Sequence, residues 1–493
     1  MDKSRVKNTL KVFTILVILG FLLWSISPKP AIAQAIDVVS SSIVSEFPAG
    51  FRINVEARGG ENIQSIAIRL KIGQQTRGAF DYLCPPDSQG AKTGFDCDGI
   101  KPSKLAKGEL FWRTNTSARY IPPGTIIRYH FEVEDMHGNR FDTEENQFIY
   151  HDARFEWLEI SHPPVTVAYH STLVKKRAEL VLNSIIDTLD VMGPVLGAGT
   201  EETIRVTMYN NAKEMLAALP PRSKAISREL ITEGQAFPEI GTLLVLGGGR
   251  MAAGTASHEV THILVHRAGD SIFRQVPPWL NEGLSEYGNI DPGPAYDIAL
   301  DFAIETNRLL PIMYMNSRPG NPEQVIIFYG QGRSIVQYLI KHFGTAKMRE
   351  LMKALKEGTN INEAFQRVYG HSTLELDNMW RDSVGAPRYF PPKGGRSAPT
   401  PIPQKVILPY SLTPQPGGEF IGTKSSKPTQ TPTSHKSTST LISASDVSTR
   451  EAVNSAEPSC LASNNNSEGP QDLTATLWIL GVIGLTFRRR PKS

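Results

Sequence analysis

The residues "SHEVTHILVH", 257–266, decide how the second half of this chain is read. They set His258, His262 and His266 four residues apart, with Glu259 directly after the first. Side chains at i and i+4 share one face of an α-helix, so His258 and His262 meet there. The text is H-E-x-x-H: two imidazole ligands for Zn2+ and a carboxylate beside them to act as general base. Val260, Ile263, Leu264 and Val265 give the flank of a helix buried on its other side. His266 does not join the pair. From His258 to His266 a helix rises about 12 Å, and Zn–N bonds are about 2.0–2.1 Å long, so one ion cannot be reached from both ends. The other three-histidine pattern needs a glycine three residues after the second histidine and a histidine three later. Those places hold Val265 and Ala268.

The third ligand is sought in "PPWLNEGLSEYG", 277–288. Pro277 and Pro278 suit the start of a helix. Glu282 follows His262 after 19 intervening residues, enough for a turn and a returning helix. A carboxylate facing two histidines from a second helix makes a His, His, Glu site with one position left for water. Glu286 lies one turn further along the same face, placed to accept a hydrogen bond from the free ring nitrogen of a ligating histidine.

"HEVTH" followed by "WLNEGLSEY" resembles the gluzincin metallopeptidases, and the second segment is close to the "WLNEG" text of aminopeptidase N-like enzymes. The resemblance implies Glu282 as third zinc ligand. Through the thermolysin-like relatives it implies Glu286 as the residue that orients a zinc-bound histidine. "YGQGRSIVQYLIKHFG", 329–344, resembles the aminopeptidase text in which a tyrosine hydroxyl stabilises the tetrahedral intermediate; the matching residue is Tyr329. With a β domain before it, the arrangement most resembles the bacterial peptidase MA-like proteins, over roughly 156–385. Two features depart from the aminopeptidases. The spacing from second histidine to glutamate is 19 against 18. No "GAMEN"-like stretch precedes the metal helix; "TLLVLGGGRMAAGTAS" stands there, with no acidic residue to take a free amino terminus. This favours an endopeptidase, whose extended substrate would add to the edge of the strand Thr242 to Leu246. The run Gly247-Gly248-Gly249 suggests a mobile loop beside the cleft.

The rest of the chain sets the context. Its 493 residues suit two folded domains with tails. Lys and Arg number 52 against 49 Asp and Glu, so nothing argues for nucleic acid as partner. Residues 1–35 read as a signal peptide. Lys3, Arg5, Lys7 and Lys11 precede an uncharged run, Val12 to Ile26, and "KPAIAQA" offers small-x-small cleavage sites; an uncleaved anchor is the other reading. Cys84 and Cys97 flank a polar loop and suit a disulfide in an exported chain.

Residues 36–155 alternate apolar and polar residues in several short runs, among them "FRINVEARGG", "QSIAIRLKIG" and "ENQFIYHD". They suggest an immunoglobulin-like β-sandwich with an accessory or spacer role. Residues 156–390 read as an α+β, zincin-like peptidase domain, with strands first and helices after. Within it, "LVKKRAELVLNSIIDTLDVMG" has helical spacing and is expected to end at Gly193.

Residues 391–470 are a Pro, Ser and Thr rich linker expected to be disordered. Residues 471–493 hold an uncharged run, Leu473 to Phe487, before Arg488, Arg489 and Arg490. This is stop-transfer chemistry, read as a transmembrane segment or a sorting tail. The expected protein is exported to the cell surface or periplasmic side, tethered to a membrane, and hydrolyses peptide bonds with Zn2+. A surface binding or adhesion module with a structural or inactive metal site is the alternative.

Overall fold

The computed structural model describes residues 36–86, 97, 99–116, 118–220, 231–248, 251–392 and 475–478. The expected leader 1–35 lies outside them, as do most of the linker and all of the tail but Ala475–Trp478. Among the described residues no helix is long and apolar enough to cross a membrane. The described residues from 36 to 389, with Ala475–Trp478, belong to one compact unit; of the second unit, 390–471, only 390–392 are described.

The N-terminal strands are β1 (Asp37–Glu46), β2 (Gly50–Ile72), β3 (Gly78–Tyr82), β4 (Ser103–Arg113), β5 (Thr125–Asp135), β6 (Arg140–Asp142) and β7 (Asn146–Tyr150). They form one seven-stranded sheet, not the two separate sheets of an immunoglobulin-like sandwich. The reason lies in "GGEN", 59–62. It reads as a turn between two strands, yet the chain runs through it as a single strand of 23 residues. The register slips there instead, between Arg58 and Ile63. The first half of β2 pairs with β1 and β4, the second with β3 and β5. The sheet therefore closes over a core of its own, with Phe51, Ile53, Ile66, Ile68, Leu110 and Phe131 inside. Cys84 and Cys97 are joined as a disulfide.

The second sheet contains β8 (Leu158–His162), β9 (Val165–Tyr169), β10 (Ile204–Tyr209), β11 (Ile231–Phe237), β12 (Thr242–Leu246) and β13 (Ala475–Trp478), in the order β13-β11-β12-β10-β9-β8. The pairs β9–β10 and β10–β12 are parallel and the others antiparallel. β12 is covered on both faces, which is why "TLLVL" is apolar throughout. Leu243 and Val245 join the helical core, while Leu244 and Leu246 join the core of the first sheet. The N-terminal region is thus packed onto this sheet rather than spaced from it. Gly124, at φ 92°, lets the chain approach so closely that a Cβ there would lie 2.4 Å from Thr207 Oγ1. That hydroxyl donates to Pro123 O at 2.9 Å.

The helices are α1 (Lys175–Leu196), α2 (Ala212–Leu216), α3 (Ala252–Gly269), α4 (Pro278–Gly288), α5 (Ala295–Glu305), α6 (Pro322–Phe343), α7 (Thr345–Lys356), α8 (Ile361–Tyr369) and α9 (Thr373–Ser383). α1 passes the expected stop at Gly193 and ends at Gly197, whose φ of 71° caps it. α3 is buried nearly all round, with α1, α4 and the second sheet as neighbours.

Candidate metal centre

α3 and α4 bring the site together. His258, Glu259, His262 and Glu282 are fully buried, and Glu286 is 1% exposed. His258 Nε2 lies 3.0 Å from His262 Nε2. Each of those nitrogens lies 3.6 Å from Glu282 Oε2. One ligand atom from each of the three residues falls within 4.8 Å of the others. Donors on a tetrahedral ion with arms of about 2.1 Å are roughly 3.4 Å apart, so these separations suit one ion. Glu259, Glu282 and Glu286 put three carboxylates in a buried space beside the guanidinium of Arg318, and buried charge needs a partner of opposite sign. Donor set, spacing and charge all fit a divalent cation such as Zn2+.

The second ring nitrogen of each histidine is also held. Glu286 Oε1 lies 2.9 Å from His258 Nδ1, and Asn289 Nδ2 donates to Glu286 Oε2 at 3.2 Å. His262 Nδ1 lies 2.8 Å from Asn281 Oδ1 and 2.9 Å from Ser285 Oγ. An Nδ1–H donated to Asn281 leaves the His262 Nε2 lone pair directed at Glu282 and His258. Arg318 bonds Glu282 Oε1, which leaves Oε2 to face the two rings.

Burial opposes charge on both imidazoles. At His258 it is outweighed by Glu286 and Glu282, and the pKa is pushed up to about 10. At His262 burial prevails and brings it down to about 4. Burial also opposes ionisation of Glu282, yet Arg318 and His262 overcome it and bring that carboxyl to about 2. Two ring nitrogens this close share at most one proton, and the carboxylates beside His258 hold it there.

Glu259 faces the second sheet. A Cβ at Gly234 of β11 would lie 2.6 Å from Glu259 Cγ and from its Oε1, so the strand backbone rests against this carboxylate. Tyr329, on α6, is buried and stacks on Tyr296 with ring centroids 5.7 Å apart. Burial and the nearby Glu282 raise its pKa well above the usual phenol range. His266 stands apart: it is half-buried, and its Nδ1 lies 2.8 Å from Asp270 Oδ2.

Several neighbours were not evident in the sequence. Asn281 and Ser285 sit inside the quoted "WLNEGLSEY" four residues apart, and that helical spacing was the available signal. Arg318 comes from a loop with no motif. β11 was not expected as a strand at all. It, and not β12, lies toward the sheet edge, since β12 is enclosed between β10 and β11. β11 also brings an acidic residue, Glu233, whose pKa is raised by burial. Gly247 and Gly248 serve close packing, a Cβ at the latter meeting Asn210 O at 2.1 Å; Gly249 lies outside the described residues.

Residues 186–386 match the family model described as the Peptidase MA superfamily. No curated protein matches the chain. Among solved structures, the M1 zinc metallopeptidase from Deinococcus radiodurans aligns at 12% identity, over 73% of this chain and 95% of that one, with a TM-score of 0.32. Native leukotriene A4 hydrolase from Saccharomyces cerevisiae aligns at 10% identity, over 75% of this chain and 72% of that one, with a TM-score of 0.32.

Proposed function

We propose that this protein is a zinc-dependent metallopeptidase that hydrolyses internal peptide bonds. The observation that carries the reading is the convergence of His258 Nε2, His262 Nε2 and Glu282 Oε2 in a buried, anionic space with Glu259 next to it. The match of residues 186–386 to the Peptidase MA superfamily supports it independently. These three atoms would hold the ion. Bound there, Zn2+ supplies Lewis acidity that polarises the scissile carbonyl and lowers the pKa of water.

The protein's own groups do the rest. Glu259 accepts a proton from the attacking water and returns it to the leaving amine. Tyr329 stays protonated because its pKa is raised, so its hydroxyl can donate to the oxyanion. Glu286 holds His258, and Asn281 and Ser285 hold His262, each fixing a ring so that Nε2 faces the ion. Arg318 orients Glu282. An extended peptide would lie along the edge of β11, with its scissile bond near Glu259.

An extracytoplasmic location is supported by the leader-like residues 1–35 and by the Cys84–Cys97 disulfide, a bond that persists in oxidising compartments. The decisive experiment is Glu259→Gln. The variant should keep its zinc, measured by elemental analysis, and lose about 10²- to 10⁴-fold in cleavage of a mixed peptide library. Wild-type cleavage by a zinc-loaded variant would end the assignment.

A further inference from the structure

The edge of β11 beside Glu259 is taken by the protein's own tail. Ala475–Trp478 pairs with it as β13, antiparallel, with Ile231 opposite Trp478, Thr232 opposite Leu477, Gly234 opposite Thr476 and Gln235 opposite Ala475. The register slips between Thr232 and Gly234, at the strand position that rests on Glu259. β13 also neighbours α3, the helix that carries His258, Glu259 and His262. A strand added there fills the place an extended peptide would take, because one edge offers one row of N–H and C=O groups.

We propose that Ala475–Trp478 is a built-in competitor for the substrate edge, so that the intact chain keeps its own cleft closed. The proposal rests on the peptidase reading and adds its regulation. The sequence suits the role. "TATLWIL", 474–480, is uncharged and rich in β-branched and aromatic residues, as strand addition favours. The paired residues are internal to the chain, since Ile479 to Ser493 follow them, so this edge accepts a chain that continues at both ends. The same uncharged run carries the stop-transfer pattern. A strand bonded to β11 cannot also span a bilayer, where backbone groups must be satisfied within a helix or a closed barrel. Occupying the cleft and entering a membrane are therefore exclusive.

The test uses the full chain and Leu477→Pro, which removes a ladder donor and disfavours pairing. The probe is a fluorescent synthetic peptide of residues 473–480. A tethered segment competes at an effective concentration of about a millimolar, so a probe with a Kd of about 100 µM should bind the proline variant about 10-fold more tightly than the intact chain. A chain ended at Gln471 should behave like the proline variant. Cleavage of a peptide library should rise by a similar factor in both, and the free peptide should restore inhibition by raising KM at constant kcat. Equal probe binding by all three forms would overturn the proposal. So would self-cleavage within 475–478, which would make the segment a substrate. If no form cleaves peptides while the probe still prefers the altered chains, the peptidase reading fails and the occupied edge stands.

Discussion

Gly283→Ala tests whether the contact between α4 and α6 positions the metal centre. A Cβ at Gly283 would lie 2.5 Å from Gly332 O and 2.6 Å from Gly332 C, both backbone atoms on α6. Ordinary contact begins near 3.4 Å, so the helices must part by roughly 1 Å, and overpacking of this kind costs about 1–3 kcal/mol. Alanine recovers about 1 kcal/mol through its helix propensity. The net loss is therefore at most about 2 kcal/mol, a fall of no more than a few degrees in Tm. The effect on the site should be larger than the effect on the fold. Glu282 adjoins Gly283, and Tyr329 lies on α6. Metal sites hold ligand distances to about ±0.2 Å, so a shift of roughly 1 Å should weaken zinc binding about 10- to 100-fold, the loss typical of disturbed ligand support. Zinc affinity would be read by chelator competition and stability by thermal melting of the chelated protein. Gly320→Ala is the control, because a Cβ there meets nothing within 4 Å. If Gly283→Ala bound zinc and melted as Gly320→Ala does, the helix contact would have no part in placing Glu282.

Three further outcomes are expected. Glu282→Ala should lose its zinc while His266→Ala keeps a full equivalent, as measured by elemental analysis after dialysis. Replacing Cys84 and Cys97 together with serine opens a loop with a sequence separation of 13 and should cost about 3 kcal/mol in denaturant unfolding. Glu375 has its pKa lowered by backbone and side-chain hydrogen bonds from Ser372. Its stabilising contribution is thus present above the unfolded carboxylate pKa and lost as pH falls through the lower folded value. Thermal melts from about pH 6 to about pH 3 should show Ser372→Ala losing less stability to acid than the wild type.

What the sequence revealed was set by local periodicity. His258 and His262 share a face because they lie four apart in a helix, and that holds in any fold. Glu282 was within reach because α4 follows α3 after a short turn. Alternation along "QSIAIRLKIG" identified the second half of β2, but alternation says which face a residue takes, not which strand lies beside it. Hence the strands of 36–155 were expected while their union in one sheet was not. "GGEN" has the composition of a turn and the role of a register slip. β11 was hidden because "ITEGQAF" is short and breaks its pattern at Glu233 and Gly234, the residues placed at the site. Arg318 reaches Glu282 from 36 residues away, a distance no local pattern spans.

The N-terminal region also bears on the chemistry, although it holds none of the site residues. Glu259 is positioned against β11, and β11 is held by β12. β12 in turn has Leu244 and Leu246 buried in the core of the first sheet. Removing residues 36–155 would expose that face of β12, together with Tyr209 of β10, to water. Two leucines and a tyrosine newly exposed represent several kcal/mol of lost burial, at about 1.5–3 kcal/mol for each large apolar side chain. The loss falls on the strands that align β11 with α3. A site precise to a fraction of an ångström needs that support from behind. The first sheet is in this sense the back wall of the metal centre, and the peptidase region alone, 156–390, lacks it.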